Sequence, residues 1–240
     1  AYCLHVHSAT FERGVFASRA GALGAASDTV RVIVRGAGGH GSVPFKSKDP
    51  SPAACEMVTA LQTFVTRSFD IFDPVVITVG SFHAGTVDNV IPAEARFEAT
   101  VRSFSPTARD RAHRGVLDLI SGIAAAHGLQ AGTDYELGYP VTANDPTEVE
   151  FAARTVTELF GADRFSWMDN PEPGSEDMSY VLEQIPGAYL NLGACPPGVD
   201  PSTGPVNHAA EVIFDDSVLA DGAVALAELA RRRLELARRP

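Results

Sequence analysis

The stretch TVRVIVRGAGGHGSVP, residues 29–44, decides the fold. Its first half alternates, with Val30, Val32 and Val34 on one face and Arg31 and Arg35 on the other. That is the period of a strand with one buried side. The strand then runs into a cluster of glycines around His40, with Pro44 just after. Glycines there admit a positive φ or a close approach to another group. A histidine in such a loop is open to several roles: passenger, metal ligand, neighbour of a phosphate, or catalytic group.

Outward from this strand the pattern is regular. Pro50 and Pro52 precede a helix in which Ala54, Met57, Leu61, Phe64 and Val65 recur at helical spacing, a core-facing stripe. Residues 74–82, PVVITVGSF, are β-branched and predict a second strand. Over 94–104, Ala95, Phe97, Ala99 and Val101 alternate with Arg96, Glu98, Thr100 and Arg102, a third strand. Ser105-Pro106 opens a helix with its stripe on Ala112, Val116, Ile120 and Ile123, ending near Gly128. A last strand is expected over about 133–139. The order β-α-β-β-α-β is the ferredoxin-like plan. It leaves one sheet face covered by two helices and the other free for a partner.

The remainder predicts a strand at AYCLHVH, a helix near 147–160, a loop through 174–178, a strand near Tyr189–Leu192 and a long helix from about 216. Arg231, Arg232, Arg233, Arg238 and Arg239 at its end read as a solvated charged terminus that suits the helix dipole. The expected fold class is therefore α/β with two domains. A βαββαβ domain at 28–139 is inserted between the pieces 1–27 and 140–240 of an α/β domain.

Bulk properties narrow the function. The chain has 240 residues, 45% of them hydrophobic, enough for a packed core. Its formal net charge is -11, which argues against nucleic acid and anionic membrane as partners. Cys3, Cys55 and Cys195 are far apart and form no CxxC pair, so a reducing, cytoplasmic setting is the natural reading. No apolar run has the length of a membrane span, and no signal peptide is visible. The first residue is not Met and opens in what reads as the middle of a strand, so the chain is expected to be a fragment.

The glycine cluster is not a GxxxxGK[ST] phosphate loop and lacks GxGxxG spacing; GxSxG and HExxH are also absent. Of seven histidines, His113 and His127 fall on a helix and read as structural or solvent-facing. His5 and His7 are two apart on a strand and so share a face. That spacing suits a metal pair, though a structural role fits it better when it stands alone. His208 follows the Gly/Pro-rich CPPGVDPSTGPVNH, on the rim of a loop.

LHVHSATFERGVFASRAG, VRVIVRGAGGHGSVP, VITVGSFHAGTVDNVIP, ATVRSF, YPVTANDP, GSEDMSYV and NHAAEVIFDDSVLADG, in that order along nearly the whole chain, resemble the M20 metallopeptidases. The branch resembled is that of amidohydrolases acting on N-acyl amino acids, of the hippurate and auxin-conjugate hydrolase type. The resemblance implies part of a metallopeptidase-type α/β catalytic domain interrupted by a ferredoxin-like lid that dimerises. It implies two divalent metal ions, zinc or manganese, and an N-acyl amino acid or dipeptide as substrate. His5 and His208 match metal ligands. His40 matches the lid histidine that reaches into the partner subunit's active site. Asn89 and Arg102 match lid residues that hold the substrate, the arginine at its carboxylate.

The residue types suit the chemistry. Neutral imidazole is a good ligand for zinc. Amide hydrolysis needs an activated water, a base for its proton and a donor for the developing oxyanion. Arg102 offers a planar fork for a carboxylate and Asn89 an uncharged donor.

The chain also departs from the family. The His-x-Cys-Gly-His-Asp segment and the Glu-Glu pair, which supply the remaining ligands and the base, have no counterpart in it. Glu176 and Asp177 of GSED are not assigned as the base. The polypeptide alone is therefore expected to be inactive and metal-poor. Phe45 stands where the branch often has a second histidine, and Met178 where it usually has Phe. Two other readings compete. One is a non-catalytic dimerisation or binding module derived from such a hydrolase. The other, an RNA-recognition domain of the same strand order, suffers from the acidic charge and from the lack of paired aromatics on the strand Ala95–Val101.

Overall fold

The computed structural model describes residues 1–237. Along the chain run β1 (Tyr2–His7), β2 (Phe16–Ser18), β3 (Gly21–Gly24), β4 (Ala26–Arg35), β5 (Gly39–His40), α1 (Pro50–Ser68), β6 (Val75–Ala84), β7 (Val90–Ile91) and β8 (Glu94–Ser103). They are followed by α2 (Pro106–Ala126), β9 (Gln130–Leu137), β10 (Thr142–Asn144), α3 (Pro146–Phe160), β11 (Phe165–Trp167), α4 (Met178–Gln184), β12 (Ala188–Gly193) and α5 (Leu219–Ala237). Two compact units result. One comprises 25–141 with 173–175; the other comprises 1–24, 142–172 and the chain from 176 onward.

In the unit spanning 25–141, β6, β8, β4 and β9 form an antiparallel sheet in that order. This is the strand order of a ferredoxin-like fold. Val30, Val32 and Val34 of β4 and Ala95, Phe97, Ala99 and Val101 of β8 are buried in one core with Met57 and Leu61 of α1 and Val116 and Ile120 of α2. α2 starts where the sequence indicates, at Ser105-Pro106, whereas α1 starts earlier and takes Pro50 and Pro52, expected before it, into its first turn. The Asp49 carboxylate accepts from Ser51 N–H at 2.9 Å, the Ser105 hydroxyl accepts from Ala108 N–H at 3.0 Å, and a proline stands at each first turn.

The last strand departs from expectation. It begins at Gln130 and ends at Leu137. Gln130, Ala131 and Gly132 carry no β-branched signal, yet they pair with Arg35, Val34 and Ile33. The ladder offered by β4 overrides local propensity. Gly138 leaves the ladder because its backbone is held elsewhere, by Asp28 and Arg109.

The glycine cluster turns out to serve close approach. None of Gly36, Gly38, Gly39 and Gly41 has a positive φ. A Cβ on Gly36 would lie 2.1 Å from the Lys48 carbonyl oxygen, and one on Gly38 would lie 2.8 Å from that of Ile91. The segment is pressed against two backbone neighbours, and β5 pairs with β7 there. Gly36→Ala is expected to cost about 1–3 kcal/mol, since backbone must shift to admit the methyl group. Urea denaturation of the variant checks this; an unchanged midpoint would contradict it.

In the other unit the sheet order is β1-β12-β2-β11, with β1 parallel to β12 and β2 parallel to β11. β12 is buried along its whole length. α3 and α5 pack against it through Val149, Ala152 and Leu229. The end of α5 is exposed at Arg231 and Arg233, as its arginines suggest, and it is ion-paired as well. Arg233 donates to Glu148 at 2.7 Å, and the Tyr2 hydroxyl donates to the same carboxylate at 2.5 Å. Glu148 is buried in the first turn of α3, so this network ties β1, α3 and α5 together. Arg231 and Arg232 pair with Glu228, and Arg232 also with Glu158. Arg238 and Arg239 lie outside the described residues.

Candidate functional site

Two groups of the singled-out residues can be placed, one in each unit. The first lies at the carboxyl end of β1. Parallel strands leave their carboxyl ends as the open face of an α/β sheet, where ligands bind. His5 and His7 share one face of β1, with ring centroids 4.9 Å apart. Neither is fully buried. His5 Nδ1 lies 2.8 Å from the Val6 carbonyl oxygen, which only accepts. Nδ1 therefore carries a proton, which leaves Nε2 as the ring nitrogen open to a ligand. Backbone anchoring of one ring nitrogen is how an imidazole is held for ligation through the other. The His5 Nε2 lies 4.0 Å from a Glu176 oxygen.

His7 Nε2 approaches the Asn191 side-chain oxygen at 3.1 Å. Burial, and secondarily the neighbouring His5, push the His7 pKa down to about 4, against the pull of the Asn191 hydrogen bond. His7 is therefore neutral over the physiological range. Carboxylates complete the cluster. Burial raises the Glu172 pKa; His5 nearby acts against this and the negative Glu176 adds to it. Burial and a hydrogen bond to Glu176 likewise raise the Tyr189 phenol above its usual range. β12 positions these partners, because its register sets Tyr189 beside Cys3 and Asn191 beside His5.

His208 is exposed in the loop after β12 and takes φ +72°. A histidine in the left-handed region is uncommon. Its neighbour Asn207 is hydrogen-bonded to Val6 and Ser8, at the carboxyl end of β1. Among the described residues no three His, Cys, Asp or Glu side chains form a group that could hold a metal ion. His5 and His208 therefore do not compose a two-metal centre by themselves.

The second group lies in the unit of 25–141. His40 and Asn89 line one open groove together with Val90 and Pro92. β5 pairs with β7, and Gly41 N–H donates to the Asn89 carbonyl at 2.8 Å, so the two residues are held side by side. The His40 ring is fixed as well. Ser42 N–H donates to its Nδ1 at 3.1 Å, and the Ser42 hydroxyl lies 2.9 Å from the same atom. Nδ1 is thus an acceptor, the proton sits on Nε2, and the exposed edge of the ring is a donor.

Arg102 is not with them. The chain from Asn89 enters β8 at Glu94, and Arg102 stands at the far end of that strand. At about 3.3 Å per residue the separation along the strand is roughly 25 Å. Arg102 points to the helix-free face, and its Nη1 donates to the Ser175 hydroxyl at 3.3 Å. Sequence reading missed Tyr189, Glu172, Asn191 and Asn207. The one available signal was Asn191, a polar residue in the apolar strand AYLNLG.

Comparison with known proteins bears on this arrangement. Residues 21–128 match the model of the peptidase dimerisation domain. Thermostable carboxypeptidase 2 of Saccharolobus solfataricus is 32% identical over 235 residues, covering 95% of this chain and 57% of that protein. The hippurate hydrolase of Campylobacter jejuni is 32% identical over 220 residues, covering 92% of this chain and 56% of that protein. The crystal structure of Bacillus subtilis YxeP, described as a dinuclear metal binding peptidase from the M20 family, superposes with a TM-score of 0.76. Identity there is 25%, over 98% of this chain and 58% of the other.

This chain belongs to the M20 family.

It spans little more than half the length of these two curated relatives. No helix among the described residues is long and apolar enough to cross a membrane.

Proposed function

We propose that the protein carrying these residues hydrolyses the amide bond of N-acyl amino acids or small peptides, in a metal-dependent reaction, as a homodimer joined through the inserted lid. The observation that carries this reading is the carboxyl end of β1. There His5, with Nδ1 engaged by the Val6 carbonyl and Nε2 left open, lies near His7 and Glu176, and Asn207 ties the His208 loop to Val6, in a family of hydrolases. His5 and His208 are assigned to zinc or manganese, as part of a ligand set that the described residues do not complete.

The lid residues supply binding and charge stabilisation. Arg102 clamps the substrate carboxylate with its guanidinium fork. Asn89 donates its amide N–H to the acyl group. His40 donates Nε2–H to the oxygen that becomes negative as the carbonyl carbon turns tetrahedral. Its tautomer is already the required one, because Ser42 occupies Nδ1. Arg102 and His40 lie at opposite ends of β8, which favours a division of labour. Arg102 serves its own subunit's site, and His40 serves the partner's.

The test is amine release by the whole protein that carries this chain, from a panel of N-acetyl and N-benzoyl amino acids and dipeptides, before and after dialysis against a chelator. Release that the chelator suppresses and zinc or manganese restores is expected. A dimer that releases no amine from any of them would overturn the reading in favour of a non-catalytic dimerisation module.

A further inference from the structure

Asn207 has bonds that its position in a loop does not require. Its side-chain oxygen accepts from Ser8 N–H at 2.9 Å and from the Ser8 hydroxyl at 3.0 Å. Its side-chain N–H donates to the Val6 carbonyl at 2.8 Å. The Ser8 hydroxyl also lies 2.8 Å from the Pro205 carbonyl oxygen, and Thr10 N–H donates to the Pro201 carbonyl at 2.7 Å. The long segment after β12 is thus stitched to the residues that continue β1, and Asn207 makes the central stitch. It spans the chain on either side of His7. The next residue, His208, is held at φ +72°, a conformation that persists only where its surroundings impose it.

We propose that Asn207 is the positioning residue that ties the segment carrying His208 to the carboxyl end of β1. This rests on the reading above that His208 takes part in hydrolysis. The geometry is specific to asparagine. An alanine removes all three bonds. An aspartate keeps an acceptor for Ser8 but turns a second oxygen toward the Val6 carbonyl, which needs a donor. The effect on chemistry comes through placement of His208 and not through contact with substrate.

The experiment compares Asn207→Ala, Asn207→Asp and His208→Ala in the whole protein. It reads amide hydrogen exchange at Ser8 and over 196–214, the thermal midpoint, and kcat and KM. The expected result for Asn207→Ala is exchange at Ser8 faster by about tenfold, the scale of losing one hydrogen-bond acceptor. A kcat lower by a similar factor is expected, with KM nearly unchanged and a fall of a few degrees in the thermal midpoint, because the buried Ser8 N–H loses its acceptor. Asn207→Asp is expected to fall between alanine and the parent. The proposal is overturned if Asn207→Ala changes neither exchange nor kcat while His208→Ala abolishes turnover. It is also overturned if Asn207→Ala lowers only the thermal midpoint. If His208→Ala leaves turnover intact, the reading of His208 itself fails, and the proposal with it.

Discussion

Replacing His40 by alanine is expected to lower kcat by about 100- to 1,000-fold, the usual loss when one oxyanion donor is removed. KM and the thermal midpoint are expected to change little. His40 is exposed, and its ring bonds only to the adjacent Ser42, so the fold loses almost nothing with it. The reacting carbonyl loses its donor at the moment charge develops, which is a transition-state effect and appears in kcat. Steady-state kinetics on the cleaved substrate checks this. A kcat within twofold of the parent enzyme would remove His40 from the mechanism. Loss of kcat with an equal fall in thermal stability would assign it to structure.

The largest expected stability effect lies at Asp28. Its carboxylate is buried at 1% exposure and accepts from Arg109 at 2.6 Å, from Gly138 N–H at 3.1 Å and from the Tyr135 hydroxyl at 3.4 Å. Arg109 reaches on to the Gly138 carbonyl at 2.8 Å. The pair therefore pins the start of β4, the first turns of α2 and the end of β9 at one point. Asp28→Ala takes the buried carboxylate away from the part-buried Arg109 guanidinium. Removing one partner of such a pair costs about 3–5 kcal/mol. Equilibrium denaturation of the variant is expected to show that loss, and a loss below about 1 kcal/mol would contradict the account. Replacing Arg109 by leucine in the same variant is expected to recover part of it, because the stranded charge goes with the side chain.

The inserted unit was the more legible part of the chain. β8 and α2 each bury one face, so their apolar residues recur at the period of their element, and both were readable within a residue or two of their ends. The two-residue strands β5 and β7 were not, because a period needs more residues than they have. The glycines around His40 announced an unusual backbone. Whether for positive φ or close approach depended on Lys48 and Ile91, which only the fold brings near. The site at β1 was half legible. HxH on a strand announces a shared face. Its partners Asn191 and Asn207 lie some 180–200 residues away, and no local pattern links them to His5 or His7. At the end of α5 the ion pair of Arg233 was not legible, because its acidic partner sits in another helix.

The central claim is that each hydrolytic site draws Arg102 from its own subunit and His40 from its partner. It is tested most directly by mixing His40→Ala and Arg102→Ala proteins, each inactive alone, and letting the subunits reassort. In a two-fold dimer half the reassorted molecules are mixed, and each of those has one intact site, so about a quarter of the parent activity is predicted to return. No recovery, with mixed dimers shown to be present, would contradict the account, because it would mean that both residues serve the same subunit's site.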